Sequence, residues 1–183
     1  MFYVFSQGAL GALGLVPPDP GVSDVKYVQG IVSKEGGGFH RLTIHGLPLN
    51  KPPYGQISSI NLDTGEILWQ VAHGETPDEI RNSPLLKGLN IPRTGRSGII
   101  GVLTTKTLVV AGEAGIFTNP SGEKGALLRA YDKATGKDAG AVSMPTGQTG
   151  SPMTYMLNGK QYIVIAVGGP GFPAELLAYR LPD

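Results

Sequence analysis

At 183 residues the chain has room for one domain with a core, since a domain near this size buries about two-thirds of its unfolded surface. A net charge of +1 without runs of like charge excludes the basic footprint of a nucleic-acid binder, and the absence of cysteine excludes disulfides, thiolate metal sites and cysteine nucleophiles. The 28 glycines and 15 prolines are dispersed among Val, Ile, Leu and Tyr runs, the pattern of many short strands and turns. No apolar run approaches the ~20 residues of a membrane-spanning helix, so no membrane span is expected and the partners are expected to be small molecules or proteins.

In chain order, residues 2–6 (Phe-Tyr-Val-Phe-Ser) predict a strand rather than a signal peptide, because no positive segment precedes them and no small-residue cleavage site follows. Residues 8–53 are rich in Gly and Pro and offer only a short strand over 41–44. Residues 56–61 alternate apolar with polar, Asp63-Thr64-Gly65 makes a turn, and residues 67–71 return, which predicts a hairpin over 56–71. A polar excursion over 73–96 follows. In it Thr76 as N-cap and Pro77 at the first helical position predict one helical turn.

Four strands in succession, 98–104, 107–113, 127–132 and 139–144, with a Gly/Pro/Ser loop at 119–124, have the make-up of one propeller blade. A final hairpin within 152–167 joins residues 153–157 to 161–167 across Asn158-Gly159, a dipeptide suited to a type I′ turn, and a last strand covers 176–181. Two hairpins repeat. Gly65 over Gly136, a spacing of 71 residues, aligns Asn61 and Thr64 with Asp132 and Thr135 in hairpins at 56–71 and 127–144. The fold class is therefore all-β, with about eleven strands, or two to three blades, where a closed propeller needs roughly four to eight. The remaining blades are expected on another chain or on oligomer copies.

Ser59 to Trp69 resembles the tryptophan-docking repeat of pyrroloquinoline-quinone (PQQ) dehydrogenases, where a D-x-x-T-G-type turn ends in a tryptophan that packs between blades. Ser151-Pro152-Met153-Thr154-Tyr155 with Asn158-Gly159-Lys160-Gln161-Tyr162 resembles the C-terminal region of the membrane-type glucose dehydrogenase branch of that family. The second repeat has Gly140 where the first has Trp69, which weakens the blade contact the repeat implies. The resemblance implies an eight-bladed propeller holding PQQ with Ca²⁺ or Mg²⁺, in a periplasmic enzyme that oxidises a sugar or alcohol and reduces a quinone or cytochrome. It places the catalytic base, the basic residue over the quinone and the main metal ligands on earlier blades, so no catalytic and no metal residue is assigned on this chain.

Two segments are expected to face the cofactor by that resemblance: a loop with Gly168, Gly169 and Pro170, and the segment with Gly112 and Glu113. Sugar dehydrogenases of the family carry a histidine near Pro170, so glucose specificity is in question. Each assignment has a plainer alternative, a tight turn at Gly168-Gly169 and a solvated strand end at Glu113. Trp69 reads as packing. His40, His45 and His73 lack metal-ligand spacing and are expected in surface or loop roles. Glu79, Arg81, Lys87, Arg93 and Arg96 read as a solvated insertion. Two functions are in play: part of a PQQ-dependent dehydrogenase, or a non-catalytic propeller-like module that has lost the cofactor.

Overall fold

The computed structural model describes residues 1–11, 14–21, 24–30, 42–118 and 121–181. The chain divides into two compact units, one of Met1–Gly8 with Pro52–Asp183 and one of Ala9–Lys51. Strand β1 (Phe2–Gln7) belongs to the larger unit. Among its described residues the smaller unit holds two short antiparallel ladders, β2 (Gly14–Val16) with β3 (Val28–Gly30) and β4 (Thr43–Ile44) with β5 (Leu47–Pro48). His45 and Gly46, at φ 51° and 81°, form the two-residue turn between β4 and β5, as the twist of a tight hairpin demands. His40, Arg41 and Asn119, which carried sequence expectations, lie outside the described residues.

The larger unit is built from three antiparallel sheets among the described residues. In the first, β6 (Gly55–Ile60) and β7 (Ile67–Ala72) form the expected hairpin, and β1 lies on the other side of β6 from Phe2↔Ile60 to Gln7↔Gly55. The excursion after β7 contains α1 (Asp78–Arg81) and a 3₁₀ turn at Pro84–Leu86. The helical turn was expected, but its cap differs. Pro77 takes the N-cap position, and the Thr76 hydroxyl instead accepts the backbone N–H of Thr94 at 3.2 Å, closing the base of the excursion.

The second sheet contains β8 (Leu103–Thr104), β9 (Leu108–Gly112), β10 (Phe117–Thr118), β11 (Lys124–Asp132) and β12 (Asp138–Met144). β8, β9, β11 and β12 make a four-stranded meander, and β10 is a short hairpin on the start of β11. The strand expected over 98–104 shrinks to two residues because the glycines before it serve close packing. A Cβ on Gly98 would sit 2.1 Å from that of Ala114, and one on Gly101 would strike Ser151. The third sheet is β13 (Met153–Leu157), β14 (Lys160–Gly169) and β15 (Phe172–Arg180). Asn158 and Gly159 adopt φ 49° and 75°, the backbone of a type I′ turn.

The repeat goes deeper than its turns. Ser59 faces Trp69 while Ile60 faces Ile67, and Ala130 faces Gly140 while Tyr131 faces Asp138. Both hairpins thus carry a one-residue bulge at the same place. The turns match as well: Gly65 N–H donates to Asn61 O at 2.7 Å, and Gly136 N–H to Asp132 O at 2.8 Å.

Alternation along the middle strands explains the core. Val109 and Ala111 of β9 pack with Ile57, Tyr131, Tyr3 and Phe5, joining the first and second sheets. Val110, one residue out of phase, joins Leu128, Met144, Ile163, Ile165 and Val167 between the second and third. Both faces of β9 are buried, which is why it reads as an unbroken apolar run, whereas β12 at the edge of the same sheet is largely exposed.

Candidate functional site

The Gly112-Glu113 corner at the end of β9 is held from three sides. The His73 ring lies beneath it, with Nδ1 2.8 Å from the Tyr131 hydroxyl and Nε2 3.0 Å from Gly112 O. A carbonyl can only accept, so Nε2 carries the proton and donates to it, and Tyr131 O–H donates to Nδ1. Burial pushes the His73 pKa down to about 4, against the opposing pull of the Gly112 carbonyl, so the ring is neutral. On the far side, Gln148 accepts the Gly112 N–H through Oε1 at 2.6 Å and donates through Nε2 to Gly101 O at 2.9 Å. Its own N–H donates to Glu113 O at 2.9 Å.

Glu113 is fully buried, which corrects the solvated strand end. Its Oε1 accepts Arg129 Nε–H, and Arg129 donates through Nη2 to Glu75 Oε1. Glu75 in turn holds Arg81 at 3.1 Å through its other oxygen. Burial pushes the Glu113 carboxyl above its ordinary range, while Arg129 pulls it back. Its second oxygen, Oε2, is buried without a hydrogen-bond partner.

Arg96 is likewise no solvated side chain. It donates through Nη1 to Ile116 O at 3.1 Å and lies over the Phe117 ring at 5.1 Å, while its Nε and Nη2 are buried and unpartnered. His73, expected at the surface, is a core buttress. The excursion is clamped to the second sheet: Asp78 accepts the N–H and O–H of Thr118, Arg81 donates to Thr118 O, and Arg93 makes a two-pronged pair with Asp138 at 2.9 and 3.2 Å.

Gly168 and Gly169 lie inside β14, a correction to the expected loop, and the turn is Pro170-Gly171. Gly169 pairs with Phe172, and Gly171 has φ 80°, so Pro170 and Gly171 fill the two central places of a type II turn. Residues 146–148 join the two predicted segments. Gln148 pairs with Val167, Gly168 N–H donates to Gly147 O at 3.2 Å, and Thr146 lies 3.5 Å from Gly168 O. The glycines differ in role. A Cβ on Gly112 would press on Gln148 Oε1 at 2.7 Å, so that glycine serves internal packing, whereas one on Gly169 would meet only Thr146 Oγ1 at 3.4 Å.

Arg129, Glu75 and Arg96 were missed. Arg129 could have been noticed as the lone charge in the apolar run from Ala126 to Tyr131. Glu75 and Arg96 sit in polar sequence and give no such signal.

Residues 31–163 match the family described as PQQ, glucose/ethanol/alcohol dehydrogenase, beta-propeller domain. The chain belongs to this family. Its all-β build, with antiparallel sheets of three, five and three strands among the described residues of the larger unit, fits the β-propeller domain of that family. Over 149 residues the chain is 36% identical to a probable quinate dehydrogenase (quinone) of Xanthomonas campestris pv. juglandis, covering 78% of this chain and 18% of that protein. It is 34% identical to the quinoprotein glucose dehydrogenase of Gluconobacter oxydans, covering 75% and 17%, and 32% identical to the glycerol dehydrogenase large subunit of Gluconobacter thailandicus, covering 94% and 24%. The chain thus spans less than a quarter of the length of these relatives. No helix among the described residues is long and apolar enough to cross a membrane.

Proposed function

We propose that this chain forms the C-terminal blades of a PQQ-dependent dehydrogenase and supplies pocket wall to its cofactor site, in a periplasmic enzyme oxidising a sugar or alcohol and reducing a quinone or cytochrome. The observation that carries this reading is the meeting of the Gly112-Glu113 corner with the Gly168-Gly169 strand end through residues 146–148, in a chain of this family. The residues present suit a polar, flat ligand. Glu113 Oε2 and the Nε and Nη2 of Arg96 are buried polar atoms lacking partners, and a Cβ on Gly169 would meet only Thr146 Oγ1, at 3.4 Å.

When bound with Ca²⁺ or Mg²⁺, PQQ supplies the hydride-accepting chemistry. The chain's own residues position and exclude. Neutral His73 and Gln148 fix the corner, Arg129 holds Glu113, and Gly169 keeps the β14 end narrow. The resemblance puts the base and the metal ligands on blades outside these 183 residues.

The test is titration of PQQ with Ca²⁺ into the assembled propeller, followed by fluorescence quenching, with the 183-residue chain alone as control. Saturable binding by the assembly, and no PQQ-dependent dye reduction by the chain alone, are expected. A complete ring that binds neither PQQ nor the cation would reject this reading in favour of a non-catalytic propeller module.

A further inference from the structure

The Nε–H and Nη2–H of an arginine point the same way, about as far apart as the two oxygens of one carboxylate, so a buried pair ordinarily uses both on a single partner. Arg129 does not. It gives Nε–H to Glu113 and Nη2–H to Glu75, two carboxylates from different segments. Glu75 is kept in place by Arg81, which occupies its other oxygen at 3.1 Å. The result is a ladder, Arg81–Glu75–Arg129–Glu113, that ends on a fully buried carboxylate with one idle oxygen.

We propose that Glu75 is a positioning residue of the cofactor site: by taking one prong of Arg129, it limits that arginine to a single contact with Glu113 and reserves Glu113 Oε2 for an O–H or N–H donor of the bound ligand. The proposal rests on the cofactor-site reading above. The charged and titratable groups facing Glu113 fit it. Arg129 comes from β11, Glu75 and Arg96 come from the excursion, and Tyr131 lies on the inner part of β11, its hydroxyl already given to His73. The Glu75 backbone N–H also bears on the carboxylate and favours its charged form, while Oε2 keeps no hydrogen-bond partner and Arg96 keeps its own Nε and Nη2 unpaired. Arg129 and Arg96 are balanced by Glu75 and Glu113 itself, so Oε2 lies in no excess of charge, which suits a neutral donor rather than a cation.

The donor has two sources, a ring N–H of the cofactor or a hydroxyl of the substrate, and the experiment separates them. In the assembled enzyme Glu75→Gln replaces a charged acceptor by a neutral one, which loosens the hold on Nη2 and lets Arg129 grip Glu113 with both prongs. If the cofactor supplies the donor, PQQ affinity falls at least tenfold. If the substrate does, KM rises at least tenfold with PQQ affinity and kcat unchanged. Glu75→Asp should restore most of either loss, and Glu79→Gln, which removes a nearby carboxylate without touching the fork, should change neither.

The second readout needs no ligand. Followed by carbon NMR in the 183-residue chain, the Glu113 carboxyl should titrate lower in Glu75→Gln. The shift should shrink in an Arg129→Lys background, because lysine has no fork to redirect; if Arg129→Lys does not fold, the single-variant shift and its reversal by Glu75→Asp decide. Equal shifts in both backgrounds, or a Glu75→Gln enzyme that is merely less stable with PQQ affinity and KM unchanged, would overturn the proposal. If the wild-type assembly binds no PQQ, the cofactor-site reading fails while the NMR comparison still judges the fork.

Discussion

The indole Nε1–H of Trp69, on β7, donates to the backbone carbonyl of Lys133, 3.2 Å away at the tip of the next hairpin. Tyr3 from β1 reaches the same carbonyl at 3.3 Å, and its ring lies 5.8 Å from the indole. The tryptophan of one repeat therefore sits on the Thr-Gly turn of the next. Trp69→Ala should destabilise the chain by about 3 kcal/mol, the low end for a large aromatic because the indole is only partly buried. Chemical unfolding reads this directly, and an unchanged midpoint would show that the indole does not hold the blades together.

Gly136 lies directly under that ring. A Cβ there would stand 2.7 Å from the indole Cε3, and its φ of 71° belongs to the left-handed region. Gly65, its counterpart in the first repeat, has φ 74° but nothing within 4 Å. Gly65→Ala should thus cost only the backbone strain, about 1–2 kcal/mol, and Gly136→Ala that strain plus displacement of Trp69. The difference between the two unfolding free energies isolates the contact; equal losses would mean that the indole moves aside freely.

His73 makes stability depend on pH. Its pKa is near 6.5 unfolded and about 4 folded, so the unfolded state binds the extra proton first. The stabilisation is complete above pH 6.5 and is lost as pH falls from there to about 4, by roughly 3 kcal/mol in all. Glu113 works in the opposite sense, because its raised carboxyl takes up a proton in the folded state first. Comparison with His73→Gln, across urea unfolding curves from pH 4 to 7, separates the two. A variant with the same downward slope as the wild type would show that His73 is not the source.

Gly169→Val tests the strand end as a place of close ligand approach. A Cβ there meets only Thr146 Oγ1 within the chain, at 3.4 Å, so the fold should tolerate the branch point. In the assembled propeller PQQ affinity should fall at least tenfold, about 1.4 kcal/mol. Normal affinity with earlier unfolding would remove Gly169 from the cofactor site.

The hairpins and the Thr-Gly turns were readable in sequence because each is decided over a few residues, by alternation and by residues that accept positive φ. The bulges at Trp69 and Gly140 were not, since a bulge depends on both strands at once. Neither was the pairing of β1 with β6, which spans an intervening unit of the chain. The segment around Gly112 and Glu113 was singled out by resemblance, but its partners come from residues 73, 75, 129 and 148, brought together by sheet packing rather than by spacing. Gly168 and Gly169 looked like a loop because glycines punctuate most strands; here the true turn is the Pro-Gly pair that follows.

The substitution of Gly140 for a tryptophan leaves its mark in space. Around it lies a slot of about 370 Å³ between the second and third sheets, bordered by Leu108, Val110, Val142, Ile163 and Tyr179. Gly140 has φ 144°, a backbone that resists any side chain, so the slot cannot be closed by restoring the indole without reshaping the bulge. Near the slot, the Tyr179 hydroxyl donates to Ser143 O at 2.8 Å, and the third sheet is held further by the shared core and by the backbone of residues 147–149, through Gly168 N–H to Gly147 O, Thr149 N–H to Ala166 O and the pairing of Gln148 with Val167. The two seams are therefore filled differently, one by an indole and the other around an open slot, and amide exchange should show it: hydrogens of β14 and β15 are expected to exchange through partial openings that leave β9 and β11 protected, and equal protection would show that the larger shared core outweighs the slot.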